Sequence, residues 1–235
     1  MWSKLTKYAA DKGIPLSSEV SQLFLQYYDL LTEGNKQMNL TRIIGPSEVV
    51  IKHVLDSLEL MVLLPHMPFS VLDVGSGAGL PGLALKIANT EIQLTLLDAS
   101  QKKVAFLQET SQQLLLENVA VIHGRAEDYG REYQYRERFP LVVSRAVARL
   151  NVLVELCLPF VEPGGIFAAY KGPEGDQECT EAENALKQLN SEVVQTWKYS
   201  LPENMGERVL ILMRKNQPLS AKYPRKAGVP AKRPL

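Results

Sequence analysis

The 235-residue sequence predicts an α/β fold in which a seven-stranded, mostly parallel sheet has helices on both faces and is preceded by a helical extension. Two observations support this prediction. From Val71 onward, short apolar strands alternate with segments of helical spacing, as in βαβ units. Only a short loop at residues 200–206 separates the last two strands, so these two are expected to form an antiparallel hairpin at one edge of the sheet.

The N-terminal part is predicted to be helical. Residues 17–33 place apolar side chains at helical spacing behind a serine cap, and Gly34 is expected to end this helix. A polar loop follows at residues 35–42, and a second helix is expected from residue 47 to about residue 64. The predicted strands lie at residues 71–74, 92–97, 119–122, 141–144, 165–171, 192–199 and 207–214.

The chain is expected to divide into a helical extension at residues 1–66 packed on the main domain, the main domain at 67–214, and a basic arm at 215–235. Its composition, 46% hydrophobic and 22% charged, is that of an ordinary soluble protein. No apolar run approaches the roughly 20 residues of a membrane span, so a cytoplasmic protein without membrane contact is expected. Cys157 and Cys179 have no ligand spacing to the three histidines, so neither a metal site nor a disulfide is expected.

A zero net charge conceals an asymmetry along the chain. Residues 208–235 contain eight of the 26 Lys and Arg and none of the 26 Asp and Glu, so the first 207 residues carry a net charge of −8. The proline-interrupted C-terminal segment is expected to be an extended arm that either keeps the protein soluble or contacts a phosphate backbone. Its candidate RNA-binding residues are Lys222, Arg225, Lys226, Lys232 and Arg233.

The most informative segment is VLDVGSGAGLPG at residues 71–82, which joins a strand to a glycine-rich turn and a helix start. Such a junction offers free backbone N–H groups to a nucleoside-bearing cofactor. From Gly77 it matches the dinucleotide pattern G-x-G-x-x-G, with Asp98 about twenty residues further on. In the dinucleotide pattern the first glycine directly follows the strand, and Gly77 does not. The better match begins with Asp73 and Gly75, and the Asp73 carboxylate suits the ammonium and sulfonium of S-adenosylmethionine.

Two further strand ends carry acidic residues toward the same crevice. Asp98 ends the second strand, where a carboxylate can hold a ribose diol. The third strand runs into residues 123–128, where Glu127 or Asp128 and the backbone of Ala126 are candidates for contacting an adenine. One such acid alone is more often a solvated loop carboxylate. Three acids at successive strand ends favour a cofactor site.

The sequence argues against two classes of methyl acceptor. An adenine amine calls for an Asp/Asn-Pro-Pro-aromatic turn after the fourth strand, where this chain has VVSRAV at residues 142–147. Pyrimidine C5 needs a cysteine nucleophile, usually after proline, and neither cysteine follows one. A purine N7 carries an in-plane lone pair and attacks without prior deprotonation. A site without an obvious base therefore favours N7.

No general base is assigned, but three side chains are candidates for placing the reactants. Arg145 ends the fourth strand and is expected either to neutralise a carboxylate or phosphate in the crevice or to pair with an acid after the third strand. Lys171 closes the fifth strand, where it either contacts phosphate or extends to solvent. Asn39 is expected to form a lid contact with His53 and Asp56, although His53 is also explained as an ordinary, partly buried helix histidine.

Together these segments resemble one family, the bacterial small-subunit ribosomal RNA guanine-N7 methyltransferases, also called glucose-inhibited division protein B. The resemblance spans nearly the whole chain and is carried by residues 35–41, 53–58, 73–82, 144–146, 170–172 and 223–228. It implies a Rossmann-like class I methyltransferase that uses S-adenosyl-L-methionine, releases S-adenosylhomocysteine, and modifies N7 of a guanosine of 16S rRNA, at position 527 near the decoding centre. The implied partner is 16S rRNA or the small ribosomal subunit, and a monomer is expected.

The resemblance also implies which residues hold the cofactor. The matching positions are Gly75, Leu80, Asp98, Ala99, Ser100, Ala126, Glu127 and Arg145, to which the loop pattern adds Asp73 and Gly77. Leu80 departs from a common variant of the family, which has an aromatic residue there. The alternatives are an NAD-dependent oxidoreductase, a non-catalytic RNA-binding protein, or a methyltransferase that acts on another RNA or on a small molecule.

Overall fold

The computed structural model describes residues 2–235, with side chains from Lys4 onward. At its centre is a seven-stranded sheet with the strand order 3-2-1-4-5-7-6. The last strand in the chain is antiparallel to both of its neighbours, and the other pairs are parallel. The predicted fold class and edge hairpin are confirmed. The strands are β1 Ser70–Val74, β2 Gln93–Asp98, β3 Val119–His123, β4 Phe139–Arg145, β5 Val161–Lys171, β6 Ser191–Ser200 and β7 Glu207–Lys215.

Helices cover both faces of the sheet, and each face has its own apolar core. One core packs the N-terminal helices and the helices that follow β1 and β2 against the sheet. The other packs the helices that flank β5, together with part of the chain after β7. The helices are α1 Trp2–Asp11, α2 Ser18–Met38, α3 Pro46–Glu48, a π-helix at Val49–Leu55, α4 Asp56–Leu63, α5 Gly82–Ala88, α6 Gln101–Gln113, α7 Ala126–Tyr129, α8 Leu150–Cys157, α9 Gly175–Gln188, a 3₁₀ turn at Pro202–Asn204 and α10 Val229–Lys232.

Helix α2 begins where the sequence predicts and ends later. The side chain of Ser17 accepts a hydrogen bond from the backbone N–H of Val20, as expected of a cap. The predicted stop at Gly34 is wrong, because the helix continues to Met38. A Cβ atom at position 34 would lie 2.8 Å from the ring of Phe106, so this glycine allows α2 to pack closely against α6.

The second predicted helix is not a single α-helix. It consists of α3, the π-helix and α4 in direct succession. The N–H of Asp56 bonds to the carbonyls of Ile51 and His53, bypassing the carbonyl of Lys52 that a regular α-helix would use. The carbonyl of Lys52 instead accepts a hydrogen bond from Arg145. None of the helices in the described part of the chain is long and apolar enough to cross a membrane.

The segment after β7 is not the extended arm that its prolines and charges predict. Leu219 and Tyr223 are buried in the second core. The Arg225 guanidinium lies against the fully buried carboxylate of Glu155 on α8, 2.5 Å from Nη2 to Oε2. This segment therefore folds back over the domain, and the expectation of a free arm is wrong.

Replacing Gly82 with alanine is expected to destabilise the fold. Its N–H donates to Asp73 Oδ2 over 2.8 Å, and an added Cβ would lie 2.8 Å from that oxygen and from a methyl carbon of Leu96. Overpacking of this kind lowers the free energy of unfolding by about 1–3 kcal/mol. Urea unfolding measures the loss. The control Gly172→Ala, whose Cβ would meet nothing within 4 Å, is expected to change the unfolding free energy by less than about 1 kcal/mol. Equal losses in both variants would contradict the packing argument.

Candidate active site

The glycine-rich loop lies at the carboxyl ends of β1 and β4, where the strand order reverses and open α/β sheets bind their ligands. Its three glycines, Gly75, Gly77 and Gly79, have positive φ angles of 74°, 59° and 95°. The N–H of Gly75 bonds to the Leu97 carbonyl of β2 over 2.7 Å. The Tyr27 hydroxyl of α2 donates to the loop carbonyl of Ala78 over 2.9 Å. Both the sheet and the N-terminal extension therefore hold the loop in place.

Two cavities open beside this loop. The smaller one, about 210 Å³, is lined by the loop itself. The larger one, about 690 Å³, lies toward the ends of β4 and β5. Four residues line both cavities and so form the boundary between them: Thr41, His53, Arg145 and Ala146. Two ligands bound side by side would meet at this boundary.

The smaller cavity fits a ligand that lies against bare backbone. A Cβ atom at Gly77 would meet only the Gly75 carbonyl oxygen, at 3.8 Å, so the absence of a side chain there leaves the space open. Leu80 supplies an apolar wall. Gly75, Gly77 and Leu80 therefore line this cavity, and their contact with a cofactor stays a prediction.

Asp73 is not where the sequence predicts it. Its side chain is fully buried beneath the loop and lines neither cavity. Oδ2 accepts the Gly82 N–H at the start of α5, and Oδ1 has no hydrogen-bond partner. Burial raises the pKa of this carboxyl to about 7. Asp73 therefore fixes the start of α5, and the expected direct contact with a cofactor ammonium is not supported.

The acids at the next two strand ends continue along the same edge of the sheet. Asp98 holds the loop and the start of α6, because its carboxylate accepts the N–H groups of Gly77 and Ser100 over 2.9 and 2.8 Å. Glu127 lies beyond β3 and is 8% exposed. Ala126 begins α7, and Ala99 is exposed beside Asp98. None of these predicted residues lines either cavity, so they would contact the part of a ligand that extends past the loop.

The distances along this edge suit an extended nucleoside cofactor. From β4 to β3 there are three strand spacings, about 14 Å in all. Arg145, the glycine loop, Asp98 and Glu127 follow one another over that length. The residues present along this edge therefore fit a cofactor of the length of S-adenosylmethionine.

Arg145 links the sheet to the N-terminal extension. Its Nη1 lies 2.9 Å from Asp56 Oδ2 and 3.1 Å from the Lys52 carbonyl oxygen. Its Nη2 lies 3.3 Å from His53 Nδ1. The alternative of a surface pair with an acid after β3 is wrong, because the partner is the buried Asp56. Arg145 reaches both cavities from this fixed position.

His53 contacts Arg145 and Thr41 through its two ring nitrogens. Nδ1 lies 3.3 Å from Arg145 Nη2 and 3.3 Å from the Lys52 carbonyl oxygen. Nε2 lies 3.0 Å from Thr41 Oγ1. Burial, followed by the positive charge of Arg145, lowers the pKa of His53 to about 3. Such an imidazole has almost no tendency to take up a proton at neutral pH.

The structure places Lys171 in the larger cavity and Asn39 outside both cavities. The Lys171 ammonium is neither free nor extended to solvent, since it bonds to the Ala148 carbonyl and to Glu178 over 2.6 and 2.8 Å while lining the larger cavity. The predicted lid contact of Asn39 is wrong, because this residue ends α2, is exposed and lines neither cavity. The side chain of Asn35 holds the loop instead, by accepting the Thr41 N–H over 2.8 Å.

The larger cavity is rich in cations, of which only Arg145 and Lys171 are predicted from the sequence. Arg42 is exposed and has no ion-pair partner among the described side chains. Arg208 reaches the cavity from β7, a position that hydrophobic patterning does not identify as functional. The basic residues of the lining are Arg42, Lys52, Arg145, Arg149, Lys171 and Arg208, and the acidic ones are Asp56 and Glu178. Within residues 2–235, no group of three His, Cys, Asp or Glu side chains is placed to hold a metal ion.

The fold and the glycine-loop site define a class I S-adenosylmethionine-dependent methyltransferase. An O-methyltransferase from Bacillus cereus in complex with SAH shares the fold, with a TM-score of 0.59 and 16% identity over 90% of this chain and 97% of that one. A putative O-methyltransferase from Klebsiella pneumoniae does so with a TM-score of 0.57 and 16% identity, over 92% and 98% of the two chains. At such low identity these likenesses establish the fold.

The sequence comparisons establish the family. The model of the rRNA small subunit methyltransferase G family, GidB, matches residues 20–205. Ribosomal RNA small subunit methyltransferase G of Brevibacillus brevis is 45% identical over 96% of this chain and 95% of its own length. The protein of that name from Carboxydothermus hydrogenoformans is 42% identical over the full length of both. The chain belongs to this family of S-adenosylmethionine-dependent rRNA methyltransferases, which rules out the oxidoreductase and non-catalytic alternatives.

The buried carboxyl of Asp73 is expected to make stability fall with rising pH. Its pKa rises from 3.8 in the unfolded chain to about 7 in the fold, so its contribution is complete below pH 3.8 and lost as the pH rises through 7. Between pH 5 and pH 8 the loss is about 3 kcal/mol. Urea unfolding of the wild type and of Asp73→Asn at both pH values isolates this loss of stability, because the asparagine side chain cannot ionise. Parallel losses in the two proteins would show that Asp73 does not titrate in this way.

Proposed function

We propose that the protein methylates N7 of a single guanosine of 16S rRNA, at position 527 near the decoding centre, within the small ribosomal subunit. The proposal includes a cytoplasmic monomer as the working enzyme. The observation that carries it is the pair of adjoining cavities, one against the glycine loop and one rich in cations, which meet at Thr41, His53 and Arg145. A cofactor in the smaller cavity and a base in the larger one would place the reacting groups at this boundary.

The residues of the smaller site bind and orient the cofactor. The backbone at Gly75 and Gly77 would hold its amino-acid end, Asp98 its ribose, and Ala126 with Glu127 its adenine. When bound, S-adenosylmethionine supplies an electrophilic methyl group on a sulfonium centre. Direct displacement needs close placement of the acceptor atom more than it needs an acid or a base.

The ionisation of the boundary residues favours an acceptor that needs no deprotonation. His53 has a pKa of about 3, so it is a poor general base. Guanine N7 presents a lone pair as it stands, and the site supports attack by such an atom. A single unpaired guanosine is also easier to place in a cavity than a stacked one.

The charge of the larger cavity favours RNA over a small neutral acceptor. Arg42 and Arg208 both lie in its lining, one from the loop after α2 and the other from β7. Guanidinium groups in such positions bind the phosphates that flank a target base. A methyltransferase for another RNA remains the second candidate, because these contacts carry no sequence information.

The direct test is transfer of labelled methyl from S-adenosylmethionine to small subunits that lack their modifications, with the product mapped by cleavage at 7-methylguanosine. We expect label at one guanine N7 of 16S rRNA and less label on naked 16S rRNA. Label at another base, or none although the protein binds the cofactor in a calorimeter, would overturn the assignment of N7.

Arg42→Ala is expected to weaken RNA binding and to make it less sensitive to salt. Loss of one phosphate contact reduces the slope of log affinity against log salt by about one. Binding of small subunits across a range of KCl concentrations measures this slope. Arg138→Ala is the matched control, since Arg138 is exposed beside Tyr133 just before β4, at the opposite end of that strand from Arg145. Equal changes in both variants would exclude a specific role for Arg42.

A further inference from the structure

The C-terminal segment is fixed along the surface of the domain by charged side chains. Arg136 donates to the carbonyls of Leu219 and Tyr223 over 3.0 and 2.7 Å. Glu155, which is fully buried, accepts the backbone N–H of Arg225 as well as two hydrogen bonds from its Nε and one from its Nη2. An uncompensated buried carboxylate is costly, so this pair holds the segment firmly.

The anchored segment leads directly to the candidate adenine site. Three residues after Arg225, the N–H of Gly228 donates to Oε1 of Glu127 over 2.8 Å. Gly228 has a φ angle of 78°, a conformation that favours glycine and turns its N–H toward Glu127. The other oxygen, Oε2, accepts no hydrogen bond from the described residues. One oxygen of the Glu127 carboxylate is thus held by the tail while the other is left for a ligand.

We propose that residues 225–228 are a positioning element of the cofactor site, in which Gly228 orients Glu127 toward the adenine. This inference rests on the proposed role of Glu127 in binding the cofactor. The segment would strengthen the binding of S-adenosylmethionine. Its charges, in contrast, predict a role in RNA binding. Only Lys222, Lys226, Lys232 and Arg233 remain exposed and suited to contact RNA.

The charges beneath the segment support a positioning role. Three glutamates accept hydrogen bonds from it, with Glu137 binding the N–H of Leu219 and Glu155 and Glu127 binding further along. A carboxylate held by a backbone donor keeps one orientation, and ordering it before the ligand arrives lowers the cost of binding. Loss of that orientation is expected to weaken binding about ten-fold.

Two truncated chains separate the two roles of the segment. A chain ending at Ala227 retains the Arg225–Glu155 anchor and loses the Gly228 donor. A chain ending at Ala231 retains the donor and loses Lys232 and Arg233. Calorimetry with S-adenosylhomocysteine is expected to show about ten-fold weaker binding for the shorter chain and unchanged binding for the longer one. In methyl transfer to small subunits, the shorter chain should raise the KM for S-adenosylmethionine and leave kcat nearly unchanged.

Combination with Glu127→Ala tests whether the effect passes through that side chain. Truncation at Ala227 in the Glu127→Ala background is expected to cause no further loss of affinity. Equal losses in both backgrounds, or unchanged affinity of the shorter chain, would overturn the inference. If the wild type binds S-adenosylhomocysteine but Glu127→Ala alone has no effect, the assumed cofactor contact fails instead. Thermal unfolding of each chain shows whether a loss reflects unfolding.

Discussion

The geometry of the crevice depends on the buried carboxylate of Asp56. This group is 3% exposed and belongs to α4, yet its partners come from three strands of the sheet. It pairs with Arg145 of β4, accepts the Tyr199 hydroxyl of β6 over 2.7 Å, and lies 3.8 Å from the guanidinium of Arg208 on β7. Burial and the nearby carboxylate raise the pKa of Tyr199, which remains a hydrogen-bond donor. Removing one partner would leave desolvated charge behind, at a cost of several kcal/mol.

Because of this carboxylate, the N-terminal helices are part of the crevice. They bring His53 and Thr41 to the boundary between the cavities, and Tyr27 of α2 holds the glycine loop from the other side. The C-terminal segment plays the corresponding part on the opposite face of the sheet, where it contacts Glu127. Both ends of the chain therefore converge on the crevice, although they are the parts that a general Rossmann-like sheet does not supply.

The sequence predicts what depends on local pattern, and it fails where a distant partner decides. Strand positions and the glycine loop follow from hydrophobic alternation and positive φ angles, which neighbouring residues set. Gly34 continues a helix because Phe106, far along the chain, needs the space of its missing side chain. Asp73 is recognisable as an acid at a strand end, but only the position of Gly82 turns it beneath the loop. The basic tail looks free until the buried Glu155 is known.

The π-helix at Val49–Leu55 fixes the number of residues in this stretch of the chain. A π turn contains one residue more than an α turn, so deleting a single residue there would restore regular α-helical bonding. Each residue of an α-helix turns by about 100°, and everything before the deletion would rotate by that angle relative to Asp56. Thr41 would leave the boundary, and the Lys52 carbonyl would be taken up by the helix and lost to Arg145. We therefore expect this stretch to accept substitutions, whereas insertions and deletions would be accepted only in the loops on either side.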